Sequence, residues 1–311
     1  MHRAVVSVVM SVYNGARHLP ASIDSVLVQD GVDFEFIVVD DGSTDETPRI
    51  LQEYAAADPR IRLVHQLNQG LTRALIRGCR EATGEFIARQ DVGDVSLPGR
   101  LKKELDLICS DPRAVLASCG TRFVGPGGEP LFEVLQSAHE ASAGLQTLDA
   151  AELQGPSCHP CVLFRKSAYF AVGGYRHQFR VAQDIDLWVR LAEIGKHLVV
   201  PEVLFQAEYS LTGISPGRHA VQQRIGERII HGARLRRAGL PEDQNLQLIE
   251  RIVIDTCKTA PNTAEAAYFI ASCLMRKEPA KAKTYFATAL RANPFHFKAL
   301  MRYLQILARR P

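Results

Sequence analysis

Short polar clusters follow several apolar runs of this 311-residue chain, and their side chains are hydroxyls, a phenol and carboxylates. They are Ser11, Tyr13, Asp40, Asp41, Asp91 and Asp94. Carboxylates can accept hydrogen bonds from ribose hydroxyls and from a base imide. They can also hold a divalent cation that screens a diphosphate. These residue types therefore indicate a site for a nucleoside diphosphate.

Other nucleotide-binding classes have signatures that this sequence lacks. It contains neither G-x-G-x-x-G nor G-x-x-x-x-G-K, which argues against a dinucleotide enzyme and against an NTPase whose phosphates rest on a glycine-rich loop. A nucleotidyltransferase would share the broad sheet topology. It would normally carry a glycine-rich, basic loop near the N-terminus, and none is present.

The elements that position these residues alternate between strands and helices. Val- and Ile-rich runs predict strands at residues 5–11, 34–40, 61–65, 86–91 and 114–120. Helical patterns lie between them, at residues 20–28, 45–57, 71–82 and 97–110. Such alternation predicts an α/β fold with a mainly parallel sheet flanked by helices. Ligands of such sheets bind beyond the carboxyl ends of the strands, where the polar clusters fall.

The second half of the chain changes character twice. Residues 124–130 form a turn-rich break, and about 25 poorly periodic residues follow. A short strand at 161–164 and a strong helix at 184–194 come next. From residue 216 onward the chain is helical and basic, and the helix pair at 264–276 and 279–292 is similar to one tetratricopeptide repeat.

Charge supports a division of the chain at this point. Residues 216–311 contain 17 Lys and Arg against 7 Asp and Glu, a net charge of +10, whereas the rest carries −7. We therefore predict a catalytic domain over 1–215 and a basic α-helical C-terminal region over 216–311. A basic region is compatible with a solvated helical surface, with a packing or association module, or with peripheral contact to an anionic membrane.

Cysteine usage and hydropathy bear on the compartment. The seven cysteines are an odd number, and the one C-x-x-C, Cys158 to Cys161, has no second pair to complete a zinc site. Free thiols indicate a reducing compartment. The apolar N-terminal run is interpreted as a buried strand, and no run approaches the ~18 residues of a membrane span. The expected location is cytoplasmic, with peripheral contact at the inner face of the membrane.

Five motifs together resemble the inverting family 2 glycosyltransferases, which have the GT-A fold. They are VSVVMSVYNG, VVDDGSTDET, NQGLTRALIRG, ATGEFIARQD and AQDIDLWVRLAEIG, and they fall between residues 5 and 208. The subgroup that these motifs resemble most builds bacterial capsule, exopolysaccharide or lipopolysaccharide. The resemblance implies a nucleoside-diphosphate-sugar donor, commonly linked to UDP, and a saccharide or lipid-linked saccharide acceptor. It implies neither a nucleic-acid partner nor an organic cofactor.

The resemblance also implies roles for single residues. Ser11 and Tyr13 would line the nucleotide pocket, and Asp40 with Asp41 would contact nucleobase and ribose. Asp91 matches the first carboxylate of the family's D-x-D motif. The implied general base and acceptor or sugar wall are formed by Asp184, Gln183, His159 and Trp188.

The sequence departs from the family pattern at two positions that bear on a metal ion. Gly93 stands where the family has the second D-x-D carboxylate, which leaves Asp91 and Asp94 as candidate ligands for Mn²⁺ or Mg²⁺. Thr212 stands near the place where relatives carry a metal-binding His. Basic side chains could partly replace a cation, and the candidates are Arg73, Arg89 and Arg218.

These departures keep two hypotheses open. The first is an active inverting transferase that moves a hexosyl or N-acetylhexosaminyl group with Asp184 as base. The alternative is a catalytically weakened GT-A domain that acts as a nucleotide-sugar-binding or scaffold subunit.

Overall fold

A computed structural model describes residues 4–148, 153, 155–211, 219–256 and 262–308. The strands are β1 (Val6–Val12), β2 (Phe34–Asp40), β3 (Ile61–His65), β4 (Phe86–Asp91), β5 (Val95–Ser96), β6 (Ala114–Val124), β7 (Pro130–Val134), β8 (Val162–Arg165) and β9 (Lys196–Glu208). The helices are α1 (Leu19–Leu27), α2 (Thr47–Ala57), α3 (Leu71–Glu81), α4 (Arg100–Ser110), α5 (Ala138–Thr147), α6 (Lys166–Ala171), α7 (Gln183–Ala192), α8 (His219–Arg237), α9 (Asp243–Thr256), α10 (Thr263–Leu274), α11 (Pro279–Ala292) and α12 (Phe297–Ala308).

One mixed sheet organises the described chain, in the order β3-β2-β1-β4-β8-β6-β9-β5, with β7 paired to β6. The predicted mainly parallel α/β sheet with flanking helices is confirmed. Strands β1 to β4 pair in parallel, and β6 pairs in parallel with β9. The antiparallel β8 separates β4 from β6. The carboxyl ends of β1, β2, β4, β6 and β9 therefore point to the same side of the sheet.

The long strand β9 is absent from the predictions, and Pro201 in its middle explains why. Proline has no N–H to donate and argues against a central strand. The ladder avoids the problem with an irregularity. Cys119 lies opposite Val200 and Gly120 lies opposite Val203, so Pro201 and Glu202 are left without a paired residue on β6. Beyond this bulge the pairing continues to Val124 opposite Glu208, which brings the end of β9 to the ligand-binding edge.

Two apolar layers cover the faces of the sheet. One face packs α1, α2 and α4 against the side chains of β1, β2 and β4 that include Val8, Phe36 and Ala88. The opposite face packs α3, α6 and α7, and its core includes Ile37 and Leu187. Because both faces are covered, most side chains of the central strands are apolar, as their Val and Ile runs indicate. The buried Arg89 and Gln90 of β4 are exceptions.

The predicted helical C-terminal region is confirmed, and its helices belong to two different cores. Side chains of α8 and α9, among them Ile229 and Ile249, join the core that contains Leu187. Helices α10, α11 and α12 form a separate cluster, which reaches the sheet at Leu131 of β7. The predicted domain boundary at 215/216 lies outside the described residues, so the two-domain division stays a prediction.

The cysteines that the structure describes, all but Cys257, are free thiols. Cys257 lies outside the described residues.

Candidate active site

A cleft of about 680 Å³ opens beyond the carboxyl ends of β1, β4 and β9, beside the N-terminus of α7. Seven of the residues singled out in the sequence line it. They are Ser11, Tyr13, Asp91, Asp94, His159, Gln183 and Asp184. Segments about 170 positions apart in the chain thus meet at one edge of the sheet, as expected for an α/β ligand site.

The loops after β1 and β2 are hydrogen-bonded to each other and form one rim of the cleft. The Asn14 N–H donates to Ser43 Oγ at 2.9 Å, and the Thr44 N–H donates to Asn14 Oδ1 at 2.8 Å. Asn14 has a φ of 50°, a conformation that asparagine tolerates better than most residues. These two hydrogen bonds hold the backbone next to Tyr13, whose side chain is half-exposed at the rim.

Asp40 and Asp41 are buried, and protein donors already occupy their carboxylates. Asp41 accepts hydrogen bonds from Gln66 Nε2 at 2.7 Å and from the N–H groups of Gln69 and Gly70 at 2.9 and 2.7 Å. Asp40 accepts from the Ser43 N–H at 3.0 Å. Neither residue lines the large cleft. In the described structure they hold the loops around it, and their predicted contact with nucleobase and ribose stays a prediction.

Asp91, at the end of β4, forms an ion pair with a buried arginine. Arg89 Nη2 lies 2.5 Å from Asp91 Oδ1, and Arg89 Nη1 donates to the Val9 carbonyl at 2.7 Å. Burial by itself would raise the pKa of Asp91, but the Arg89 guanidinium, with further contributions from His159 and Arg100, keeps the pKa below its usual range. The pair therefore presents an ionised carboxylate to the cleft.

The backbone at Gly93 explains the missing D-x-D carboxylate. Gly93 has a φ of +97°, which strains any residue with a side chain. A Cβ built there would lie 4.0 Å from Glu208 Oε2. A side chain at position 93 would thus lie next to the carboxylate of Glu208, at the end of β9.

Asp94 and Glu208 are joined beside that glycine. The Glu208 N–H donates to Asp94 Oδ1 at 3.0 Å, and Glu208 Oε2 lies 3.3 Å from His18 Nδ1. Burial, followed by the charge of Asp91, raises the pKa of Asp94 well above its usual range. Sequence reasoning missed Glu208 because β9 was not predicted. The signal that could have found it is an acidic residue directly after the mostly apolar run at 203–207.

Asp184 and Asp186 lie in the first turn of α7 but have different surroundings. Asp186 is buried and forms an ion pair with Arg190 one turn later, and Arg176 Nη1 lies 3.7 Å away. Asp184 is half-buried, lines the cleft, and accepts a hydrogen bond from the Ile185 N–H at 3.0 Å. Of the two carboxylates, only Asp184 faces the cleft.

The predicted acceptor wall is split between the cleft and the core. His159 lines the cleft, and its Nε2 lies 2.7 Å from Tyr175 Oη. Burial, with a further contribution from Arg89, lowers the pKa of His159, so the imidazole is neutral near pH 7. Trp188 is 3% exposed and lies behind His159, with ring centroids 6.4 Å apart. It is not among the cleft-lining residues.

Gln183 combines burial with an unused polar atom. Its side chain lines the cleft and is 6% exposed, and its Oε1 has no hydrogen-bond partner within the described ranges. Buried polar atoms are usually paired in folded proteins. The orphan oxygen is therefore available to a ligand hydroxyl.

Within the described residues, the protein groups alone do not make a closed metal site. Across the part of the chain that the structure describes, no group of three His, Cys, Asp or Glu is arranged to hold a metal ion. Of the candidate cations, Arg89 lies buried beneath Asp91, and Arg73 lines a second cavity of about 380 Å³ near the start of α3. Arg218 and Thr212 lie outside the described residues.

Comparison with known sequences identifies the family. The pattern of Glycosyl transferase family 2 matches residues 7–170, which is more than half of the chain. EpsE of Bacillus subtilis, provisionally named a glycosyltransferase, is 37% identical over 194 residues, which cover 61% of this chain and 67% of EpsE. The amylovoran biosynthesis glycosyltransferase AmsE of Erwinia amylovora is 28% identical over 205 residues, which cover 64% and 74% of the two chains.

Two solved structures share the fold. The S. aureus TarS fragment in complex with UDP-GlcNAc is 17% identical, with a TM-score of 0.57 over 97% of this chain and 90% of that one. The mannosyltransferase PcManGT of Pyrobaculum calidifontis, in complex with GDP-Man and Mn²⁺, is 21% identical with a TM-score of 0.52. That match covers 99% of this chain and 87% of the other. The chain belongs to Glycosyl transferase family 2, and it is a glycosyltransferase with the GT-A fold.

Proposed function

We propose that this protein transfers a sugar from a nucleoside diphosphate, UDP by preference, to an acceptor hydroxyl with inversion of the anomeric centre. One observation carries the proposal. The carboxylates of Asp91 and Asp184, contributed by the end of β4 and the start of α7, line the same cleft. The TarS complex with UDP-GlcNAc, a protein of the same fold, supports a UDP-linked donor.

Asp184 is proposed as the general base. An acceptor hydroxyl is a weak nucleophile, and a carboxylate within hydrogen-bond reach can take its proton while the oxygen attacks the anomeric carbon. The bond from that carbon to the diphosphate oxygen breaks, and the nucleoside diphosphate leaves with the electron pair. A single displacement of this kind inverts the configuration. Asp186 is unsuitable because its charge is already neutralised by Arg190.

His159 and Gln183 are proposed to hold the acceptor. The neutral imidazole of His159 and the unpaired Oε1 of Gln183 both line the cleft that contains Asp184. Hydrogen bonds from sugar hydroxyls to such groups would orient one hydroxyl toward the base. Orientation of a bound nucleophile contributes substantially to rate.

A divalent cation, Mn²⁺ or Mg²⁺, is proposed to be shared between the protein and the donor. The chemistry of the carboxylates fits a hard cation, and Asp91, with Asp94 or Glu208, would hold it. Burial, followed by the charges of Asp91 and Glu208, raises the pKa of Asp94, and a cation beside these carboxylates would offset their mutual repulsion. When bound, the cation would neutralise charge on the leaving diphosphate. No organic cofactor is required for this reaction.

Metal binding should then depend on nucleotide. We expect Mn²⁺ to bind the protein weakly by itself and much more tightly when UDP is present, because the diphosphate completes the coordination. Calorimetric titration of Mn²⁺ with and without UDP measures this difference. Tight binding of Mn²⁺ without UDP would contradict the shared site.

The proposed pathway is the synthesis of a bacterial surface or exported polysaccharide. AmsE and the O-antigen biosynthesis glycosyltransferase WbnJ of Escherichia coli, 29% identical over 194 residues, carry such roles in their names. The proposed acceptor is a saccharide, free or lipid-linked. Within the described residues, no helix has the length and apolar character that a membrane crossing requires. We propose that the enzyme acts in the cytoplasm, with peripheral contact at the inner membrane face through the basic C-terminal region, whose net charge is +10 over residues 216–311.

The alternative of a catalytically weakened scaffold is not favoured. Gly93 and Thr212 motivated it, but Asp91 and Asp184 are both present at the cleft and Glu208 brings a further carboxylate beside Gly93. A binding subunit would not need an unpaired carboxylate at the position of a base.

The decisive test is transfer by the purified protein. UDP-sugars are supplied with a panel of saccharide acceptors in the presence of Mn²⁺, Mg²⁺ or a chelator, and product anomers are assigned by NMR. We expect release of UDP together with a glycoside of inverted configuration. Retention of configuration would contradict the mechanism, and donor binding without turnover on any acceptor or water would favour the scaffold alternative.

A further inference from the structure

Helix α12, the last described element, has two apolar faces. One face packs on the C-terminal cluster through Ala299, which is fully buried, and through the partly buried Tyr303 and Ile306. These residues recur at intervals of three and four, so they share one side of the helix. That face is fully explained by packing against the described helices of the C-terminal cluster.

The second face is exposed. Its side chains are Phe297 at 70% exposure, Leu300 at 39%, Met301 at 52%, Leu304 at 49% and Leu307 at 49%. Their spacing of i, i+3, i+4, i+7 and i+10 places them in one stripe along the helix. Phe295, just before the helix, is 93% exposed. A stripe of this size is unusual for a surface that only faces water.

Basic side chains lie along one edge of the stripe, and the segment that contains α12, residues 293–311, has no carboxylate. Lys298 and Arg302 are exposed on one side of it, and neither forms an ion pair in the described structure. Residues 293–311 contain no Asp or Glu, and Arg309 and Arg310 follow the helix in the sequence. At the start of the segment, His296 Nε2 lies 3.3 Å from Oε1 of Glu265 on α10.

We propose that the exposed face of α12 binds the surface of an anionic phospholipid bilayer. Apolar side chains on one face with Lys and Arg along its edge are the pattern of helices that lie in the headgroup region. Anionic headgroups supply the charge that this segment lacks. The inference rests on the proposed peripheral membrane contact and assigns it to one face of one helix, and it does not depend on the transfer reaction.

A second copy of the chain fits this face less well. If two α12 helices packed antiparallel about a two-fold axis, the flank with Lys298 and Arg302 would lie beside the same flank of the partner helix. The segment has no carboxylate to offset that repulsion. A lipid surface therefore satisfies both the apolar stripe and the cations, whereas an antiparallel pair of α12 helices satisfies only the stripe.

Flotation of the full chain with vesicles tests the proposal. The vesicles are phosphatidylcholine alone or phosphatidylcholine with roughly one-third phosphatidylglycerol. We expect binding to the anionic vesicles, weakened by salt. The variant Phe297→Ser/Met301→Ser/Leu304→Ser should bind roughly tenfold or more weakly. Lys298→Gln and Arg302→Gln should each weaken binding about fivefold.

A matched control removes exposed apolar side chains elsewhere. Val28→Ser/Leu248→Ser changes side chains that are 69% and 43% exposed, and it should float like the wild type. All substitutions lie at exposed positions, and circular dichroism checks that each variant is folded. The proposal is overturned if the wild type does not float with anionic vesicles, or if the α12 variant floats as well as the control. It is also overturned if light scattering shows a dimer that the α12 variant abolishes while vesicles are not bound.

Discussion

The two carboxylates in the first turn of α7, Asp184 and Asp186, have different surroundings, and that difference selects the candidate base. Asp186 is buried and forms an ion pair with Arg190, as a buried charge requires. Asp184 is half-buried, and no cation forms an ion pair with it in the described ranges. A base must be free to accept a proton, so the half-buried carboxylate of Asp184, which has no ion pair within the described residues, is the better candidate.

Replacement of that carboxylate tests its role directly. We expect Asp184→Asn to lower the turnover number by about 10²–10⁴-fold, because an amide cannot take the acceptor proton. The dissociation constant of UDP should change little. Initial rates of UDP release and calorimetry of UDP binding measure the two effects. Asp106→Asn, an exposed carboxylate on α4, serves as the control, and equal rates for both variants would remove Asp184 from the mechanism.

At the scale of elements, α7 is anchored by Trp188, one turn after Asp184. The indole is 3% exposed, and a Cβ at Gly155 would lie only 2.4 Å from its ring. The indole thus packs directly against the backbone at Gly155, where a larger residue would collide with the ring. His159, which lines the cleft, rests against the same ring at 6.4 Å between centroids.

This packing predicts a stability effect at Trp188. Trp188→Ala should lower the free energy of unfolding by about 3–5 kcal/mol, because the indole leaves a cavity in the core. Urea unfolding measures the loss. If Trp188 instead stacks on a sugar, the substitution should raise the KM for donor or acceptor strongly and change stability little. That result would contradict a core role.

Strand β9 contains a buried histidine, His197, whose protonation should make the stability of the fold depend on pH. His197 is 5% exposed, and its Nε2 lies 2.8 Å from Ser118 Oγ. Burial lowers the pKa of His197 from 6.5 to about 4. Between these two values the unfolded chain binds the proton more readily than the folded chain does. Stability contributed by neutral His197 is therefore complete above pH 6.5 and declines as the pH falls toward 4.

The expected difference is measurable. Between pH 7 and pH 5 the wild type should lose about 2 kcal/mol more unfolding free energy than His197→Gln, whose side chain does not titrate. Urea unfolding at the two pH values gives the comparison. His231→Gln, which alters an exposed histidine of α8, should keep the wild-type slope. An identical slope for His197→Gln would show that this histidine does not contribute.

For the whole molecule, helix α7 links the cleft to the large core. The helix supplies Asp184 to the cleft and Leu187 to the large core, and Ile229 and Ile249 of α8 and α9 pack into that same core. Ligand binding at the cleft should therefore stabilise the fold that holds α7 in place.

Donor binding should then raise the melting temperature. A UDP-sugar at 100 times its dissociation constant contributes about 2.7 kcal/mol to stability if it binds only the folded protein. Thermal unfolding across a panel of UDP-, GDP- and dTDP-sugars would identify the donor by the largest shift. If GDP-sugars stabilise the protein and UDP-sugars do not, the proposed UDP preference is wrong.

The sequence alone determined the first four strands to within one residue, the helices between them and the family. Each of these follows from local patterns. Val- and Ile-rich runs predict buried strands, and turn residues mark their ends. The strand-end rule then placed Ser11, Tyr13 and Asp91 at one edge, because parallel strands end on the same side of a sheet.

Only the tertiary structure decided how the remaining polar residues are used. Burial of Trp188, saturation of Asp41 by Gln66 and the following loop, and the approach of Glu208 to Gly93 all depend on contacts between distant segments. Strand β9 escaped prediction because Pro201 interrupts its local pattern, and its pairing with β6 overrides that interruption. Local patterns determine which elements form, but the distance between side chains on different elements is determined only by how those elements pack.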